Sequence, residues 1–210
     1  MPPAAPPPDR RVEALQKAAA RVVAELAGVA DWPARCARLG LPAPAADGAL
    51  YIPFLGGGLT LRPPDFLPPT GAPPVAAAAR LLALHYLRAE CAVTPANEWV
   101  TFRDFPGGAF YWAPFVGRVI QPLPRRFGNR LDALRAALAP FAPQWDIAVP
   151  DQLQARVPAL GPLFLQLIYR AGDDEFGPTA DILFDAAFRR VLCAEDAAAL
   201  AGLLTAALRP

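Results

Sequence analysis

The stretch that decides the fold spans residues 161–184 and reads GPLFLQLIYRAGDDEFGPTADILF. Its first part, residues 161–169, is an apolar run rich in β-favouring side chains, which predicts an inner strand. A polar segment with Gly and Pro at residues 172–179 predicts a turn. The apolar residues 180–184 then predict a partner strand. The stretch therefore predicts an antiparallel β-hairpin.

Other elements follow outward from this hairpin. Residues 50–55 and 59–62 predict a second hairpin around the glycines 56–58. Apolar periodicity and capping residues predict helices over residues 9–28, 31–40, 75–90, 109–120 (on either side of Pro114), 129–138 (capped by Asn129) and 195–208. The helix over residues 75–90 is apolar on nearly every face, so it is expected to be the central buried helix. Because strands and helices do not alternate, we expect an α+β fold, with small antiparallel hairpins packed with several helices. A single domain is expected over residues 9–210, behind a disordered proline-rich tail at residues 1–8.

An aromatic block, WVTFRDFPGGAFYW, occupies residues 99–112. Alternation predicts a strand over residues 99–105, with Trp99 and Arg103 on one face. Gly107 and Gly108 suit a turn, and they could equally offer backbone amides to an anion. The aromatic side chains, Trp112 among them, either line a pocket for a flat ligand or pack in the core, which is the commoner role.

Carboxylates dominate the second block, residues 173–188. Asp174 and Glu175 could act as an acid–base pair or bind Mg²⁺, but their spacing matches no known metal loop. Adjacent carboxylates in a turn more often face water. Asp185, next to Phe184, is expected to be partly buried and to need a donor, for which Arg103 is the candidate. Structural pairing is thus favoured over catalysis.

Net charge, cysteine spacing and hydropathy limit the classes of partner that the chain is expected to have. The formal net charge is +1, and no basic face stands out, so no nucleic-acid partner is expected. Three well-separated cysteines form no metal-binding motif, and a reducing cytoplasm is the expected location. No membrane partner is expected, because the most apolar window is too short to span a bilayer. The only histidine, His85, is expected to be a core residue with a hydrogen-bonding neighbour rather than a haem ligand or catalytic base.

Three segments resemble a family of uncharacterised proteins from anaerobic prokaryotes, domain of unknown function 3786. They read LLALHYLRAE (residues 81–90), EWVTFRDFPGGAFYWAPF (98–115) and GDDEFGPTADILFDAAFRRVLCAEDAAAL (172–200). The resemblance covers roughly residues 75–205. Members often accompany, or are fused to, a cysteine-rich iron–sulfur segment, which implies a supporting role in corrinoid or metallocofactor metabolism. This chain lacks such a segment, so the resemblance implies an iron–sulfur or corrinoid protein as a partner.

Three functions remain open from the sequence. The first is an accessory or ligand-binding protein that uses the aromatic block and the Gly107–Gly108 turn. The second is an acid–base or Mg²⁺-dependent enzyme that uses carboxylates of residues 173–185. The third is a protein-interaction module. The chain contains no serine, which excludes a serine-nucleophile enzyme, and the sequence leaves the cofactor unknown.

Overall fold

A computed structural model describes residues 10–146 and 149–210, with Arg11 described by its backbone alone. The tail predicted at residues 1–8 lies outside the described residues. Within them, seven strands form one antiparallel sheet in the order β2-β1-β5-β6-β7-β3, with β4 also paired to β5. The strands are β1 (Leu50–Phe54), β2 (Gly57–Leu61), β3 (Trp99–Val100), β4 (Gln144–Trp145), β5 (Gln152–Leu160), β6 (Leu163–Arg170) and β7 (Thr179–Asp185).

Strand β5, which was not predicted, joins the two predicted hairpins into this one sheet. Phe54 of β1 pairs with Leu160 of β5, whose other edge pairs with β6 along almost its whole length. Alternate β5 residues are buried, which is the period-two signal of a half-buried strand. Pro158 obscures that signal, since proline is rare in central strands. β5 accommodates this proline because β1 pairs with β5 only at the end of β5.

Helices cover one face of the sheet. They are α1 (Arg10–Leu26), α2 (Trp32–Arg38), α3 (Ala77–Arg88), α4 (Trp112–Phe115), α5 (Pro122–Phe127), α6 (Leu131–Leu138) and α7 (Ala194–Ala207). As predicted for the central helix, α3 is buried on most sides, where it packs against α1 and α7. α5 contacts β7 and α6 contacts β5, so the predicted α+β architecture is confirmed. No helix among the described residues is long and apolar enough to cross a membrane.

The turn of the N-terminal hairpin forms at the predicted glycines. Gly56 adopts φ +73°, a conformation that side chains disfavour. A Cβ atom there would also lie 2.3 Å from the backbone of Phe141. Both the turn and the close approach of the chain around Phe141 therefore require glycine at this position.

The strand predicted over residues 99–105 is wrong beyond Val100. The chain leaves the sheet there and forms a 3₁₀-helix, Phe102–Asp104. The Asp104 carboxylate accepts hydrogen bonds from the backbone N–H of Thr101 (2.7 Å) and from its hydroxyl group (2.9 Å). Such local side-chain bonds compete with strand pairing. As a result, β3 is only two residues long.

Contrary to the prediction, Asn129 does not cap a helix. α6 begins at Leu131, and Arg130 precedes it without a side-chain cap. The Asn129 amide instead accepts a hydrogen bond from the Gly172 N–H (2.8 Å) and donates one to the Gly172 carbonyl (3.0 Å). This paired contact holds the β6–β7 loop against the segment between α5 and α6.

Candidate recognition groove

A shallow groove of about 400 Å³ separates the start of β7 from the helical segment that follows the aromatic block. We call it the β7 groove. Its volume lies in the range of small ligand pockets. On the strand side it is lined by Pro178, Thr179, Ala180 and Asp181, and on the helical side by Trp112, Val116, Ile120, Gln121 and Pro124.

The helical wall of the β7 groove contains a π-helix, Val116–Ile120, between α4 and α5. Its wider turn is closed by the Gln121 N–H, which donates to the Val116 carbonyl at 2.8 Å. The Val119 carbonyl accepts a hydrogen bond from the Thr205 hydroxyl of α7 at 3.0 Å. π-helical turns are rare in proteins as a whole, and those that occur often lie at functional sites. Here the turn places three of its flanking and internal side chains in the groove.

Stacked aromatic rings support this wall from behind. Phe115 lies parallel to Phe102, with ring centroids 4.2 Å apart and an interplanar angle of 2°. It also lies 5.9 Å from the ring of Trp112 and 6.3 Å from that of Phe184. Phe102, Phe115 and Phe184 are buried. The stack therefore connects the aromatic block to β7 and fixes the position of Trp112.

Arg103 lies over the exposed side of this aromatic stack. Its guanidinium carbon is 4.3 Å from the centroid of the Trp112 ring, a cation–π contact. The proposed pairing of Arg103 with Asp185 is therefore wrong. Because the strand ends at Val100, Arg103 belongs to the 3₁₀-helix rather than to the sheet face predicted for it.

The glycine pair closes a tight loop before α4. A Cβ atom on Gly108 would lie 2.0 Å from the Phe102 carbonyl oxygen, so this position requires glycine. The Gly108 N–H donates to the Phe105 carbonyl at 2.8 Å, inside the loop. That amide is thus engaged and does not face a ligand. Gly107, which adopts φ +80°, supplies the left-handed turn.

This loop presents two aromatic side chains to solvent. Phe110 is 93% exposed and Tyr111 is 64% exposed, and Trp112 of the β7 groove follows them directly. Their backbone N–H groups donate to the carbonyls of Gly107 and Gly108, both at 3.1 Å, so hydrogen bonds hold the loop. The core interpretation of the aromatic block holds for Phe102, Phe105 and Phe115, and it fails for Phe110 and Tyr111.

The carboxylates of the second block are dispersed. Asp173 caps its own turn by accepting the N–H groups of Phe176 (2.7 Å) and Glu175 (2.9 Å), and these bonds lower the pKa of its carboxyl group. Asp174 and Glu175 are exposed in the same turn, outside the β7 groove. Asp181 pairs with Arg170 at 3.2 Å. Phe176, in the same turn as Asp174, is 69% exposed.

Asp185 is buried, as predicted, but its donors are backbone amides. The carboxylate accepts the N–H groups of Ala96 (3.0 Å), Asn97 (3.2 Å) and Ala187 (2.9 Å). Trp99 lies opposite Asp185 in the β3–β7 register, away from the β7 groove. Asp185 therefore binds the loop before β3 to the end of β7, a structural role.

A second polar cluster connects α3 with the start of α7. His85 Nδ1 lies 2.8 Å from a carboxylate oxygen of the buried Asp196, which confirms a neighbour-bonded histidine. The Cys193 thiol donates to the other oxygen of Asp196 at 3.3 Å. Partial desolvation of this thiol raises its pKa, so less of it is in the reactive thiolate form than in a free cysteine. The described residues contain no group of three or more His, Cys, Asp or Glu side chains arranged to hold a metal ion.

Of the residues singled out from the sequence, the structure brings Trp112 and Asp181, one of the carboxylates of residues 173–185, into the β7 groove. Arg103 is stacked on Trp112, and Gly107 and Gly108 lie in the adjoining loop. The groove residues Val116, Ile120, Gln121 and Pro124 were not predicted. The prolines at 114, 122 and 124 signal an irregular helix, but not its position beside a sheet edge.

Comparison with known protein families supports the resemblance that residues 81–90, 98–115 and 172–200 indicated. Residues 31–207 match the family described as Domain of unknown function (DUF3786). The chain belongs to this family. The matched range of this DUF3786 protein includes both walls of the β7 groove and the exposed aromatic loop. No curated protein and no solved structure matches the chain significantly.

Proposed function

We propose that this DUF3786 protein is a non-catalytic accessory module, which binds a partner protein through the β7 groove and the aromatic loop of residues 107–111. The observation that carries the proposal is the pair of exposed aromatic side chains, Phe110 and Tyr111, on a hydrogen-bonded loop beside Trp112. A contiguous exposed apolar surface, here formed by neighbouring aromatic side chains, is typical of an interaction site.

The composition of the surface supports a protein partner. Tyr, Trp, Phe and Arg are enriched at protein interfaces and dominate their binding energy. Here Phe110, Tyr111, Trp112 and Arg103 lie within ten residues of one another in the chain. The loop is held by internal hydrogen bonds, which reduces the entropy lost when a partner binds.

The class of partner comes from the family resemblance alone. It implies an iron–sulfur or corrinoid protein of anaerobic metallocofactor metabolism, for which this chain would be an accessory subunit. The carboxylates of residues 173–185 are engaged separately in a turn, an ion pair and a buried cap, so no observation favours the enzyme interpretation.

Site-specific photocrosslinking tests this proposal. The chain, with p-benzoylphenylalanine in place of Phe110, is produced in cells of its natural host and irradiated. We expect one protein to be crosslinked, and metal analysis of the adduct to detect iron or cobalt. Tyr51, which is 45% exposed on β1, is the matched control position. Equal adducts at positions 110 and 51, or none at 110, would refute the binding surface. An adduct without iron or cobalt would refute only the partner class.

A further inference from the structure

We propose that the free edge of β7 receives an extended, acidic segment of the partner protein as an added β-strand. This inference rests on the proposed function, because it specifies how the β7 groove binds the partner. The groove lies between a strand edge and a helical wall, an arrangement in which peptides can extend a sheet.

The edge of β7 is only partly occupied. β3 pairs with β7 at Phe184 and Asp185 alone, because the chain leaves the sheet after Val100. Along the described residues, the segment Thr179–Leu183 therefore has no strand neighbour on that side. An unpaired edge is a ready template for pairing with another chain.

The backbone groups of Ala180 and Ile182 point to this free edge. Two observations fix their direction. The Ala186 N–H donates to the Glu98 carbonyl at 2.8 Å, on the side of β3. On β6, the Ala171 N–H donates to the Asp151 carbonyl at 2.8 Å, away from β7. Backbone groups alternate in direction along a strand. Both observations therefore show that the N–H and C=O groups of the even-numbered β7 residues point away from β6, toward the free edge.

These outward groups have no hydrogen-bond partner among the described residues. Ala180 lines the β7 groove, so its N–H and C=O groups adjoin open space. An extended peptide whose backbone lies about 4.8 Å from β7, the ordinary distance between strands, would supply the missing donors and acceptors.

The helical wall favours alternating apolar side chains in the added strand. Ala180 and Ile182 are buried on the face of the sheet that the helices cover. Peptide side chains that point to the same face would meet Trp112, Val116 and Ile120. Those that point to the other face would remain in water.

Charges at the two ends of the wall favour an acidic segment. Arg103 is exposed over the ring of Trp112, at the start of the wall. Arg125 is exposed one helical turn after Gln121, whose carbonyl accepts its backbone N–H. Neither guanidinium group forms a salt bridge within the described residues. Asp181, the only carboxylate among the described residues that line the groove, is already paired with Arg170.

The test selects peptides from a phage-displayed library of random octapeptides on the full-length protein. We expect enriched peptides with apolar residues at alternate positions and Asp or Glu at their ends. Ala180→Pro removes one outward N–H and no bond to β6, and should weaken binding of an enriched synthetic peptide by about tenfold or more. Ala180→Val, which keeps the N–H, is the matched control. Arg125→Glu should weaken binding, and Arg21→Glu on α1 should not.

A second measurement does not depend on the variant folding. Methylation of the peptide amides that face β7 should abolish binding to the unmodified protein, whereas methylation of the alternate amides should not. Strand addition is refuted if nothing is enriched, or if affinity survives both Ala180→Pro and methylation. It is also refuted if the chain dimerises through β7, so that a second copy is the occupant. A crosslink at position 110 that persists in Ala180→Pro would leave the proposed function standing while strand addition fails.

Discussion

The guanidinium group of Arg103 lies 4.3 Å from the ring centroid of Trp112, on the rim of the β7 groove. Exposed cation–π contacts stabilise proteins by only about 0.5–1 kcal/mol. Arg103→Ala should therefore lower the free energy of unfolding by less than about 1 kcal/mol in urea denaturation. The same substitution should weaken partner binding clearly. Arg21→Ala, which removes an exposed arginine of α1, outside the β7 groove, is the control and should change neither quantity.

Gly108→Ala should disturb the aromatic loop. The new Cβ atom would lie 2.0 Å from the Phe102 carbonyl oxygen, so the loop backbone must move. We expect a loss of about 1–3 kcal/mol in denaturant unfolding, together with loss of the crosslink at Phe110. Gly117→Ala is the control, because no atom beyond its chain neighbours and its own helix lies within 4 Å of its Cβ position. Similar stability losses for both glycines would contradict the close contact at Gly108.

Asp185→Ala should destabilise the fold much more than Asp174→Ala. The first substitution leaves buried amides of the Asp185 cap without an acceptor, which typically costs about 1–3 kcal/mol. Asp174 is exposed, and its substitution should change stability by less than about 0.5 kcal/mol. Denaturant midpoints compare the two directly. Equal and small effects would show that the carboxylate of Asp185 does not hold the loop before β3.

Asp104 predicts a specific acid response. Hydrogen bonds from the Thr101 hydroxyl and from its backbone N–H hold the pKa of the Asp104 carboxyl below its ordinary range. Because the folded-state pKa is lowered, the stabilisation is fully present above the unfolded-state pKa of about 3.9. It is lost as the pH falls through the lower folded-state value. NMR titration should report this lowered pKa, and Thr101→Val should raise it.

The His85–Asp196 contact should couple α3 to α7. In a double-mutant cycle of His85→Ala and Asp196→Ala, residues in direct contact show an interaction energy of about 0.5–3 kcal/mol. Urea unfolding of the two single variants and the double variant measures it. A second variant, Asp196→Asn, should accelerate alkylation of Cys193, because the negative charge of Asp196 helps to raise the pKa of that thiol. Additive stabilities and an unchanged alkylation rate would contradict the cluster.

Local signals predicted much of the fold. Apolar runs broken by Gly and Pro located β6, β7 and the N-terminal hairpin, because turn chemistry and strand periodicity are properties of adjacent residues. The apolar surface of α3 likewise predicted its burial. The residues next to each carboxylate also predicted that Asp185 is buried and that Asp174 is exposed.

The site depended on contacts between distant segments. The sequence determined a buried carboxylate at Asp185, but only the tertiary structure decided that amides of the 96–97 loop, rather than Arg103, satisfy it. It determined an aromatic block, but burial divided that block into a core stack and the exposed Phe110 and Tyr111. The β7 groove exists because β3 ends after two residues and a π-helix lies beside the vacant edge. Sheet order and helix placement arise from long-range packing, which no local pattern encodes.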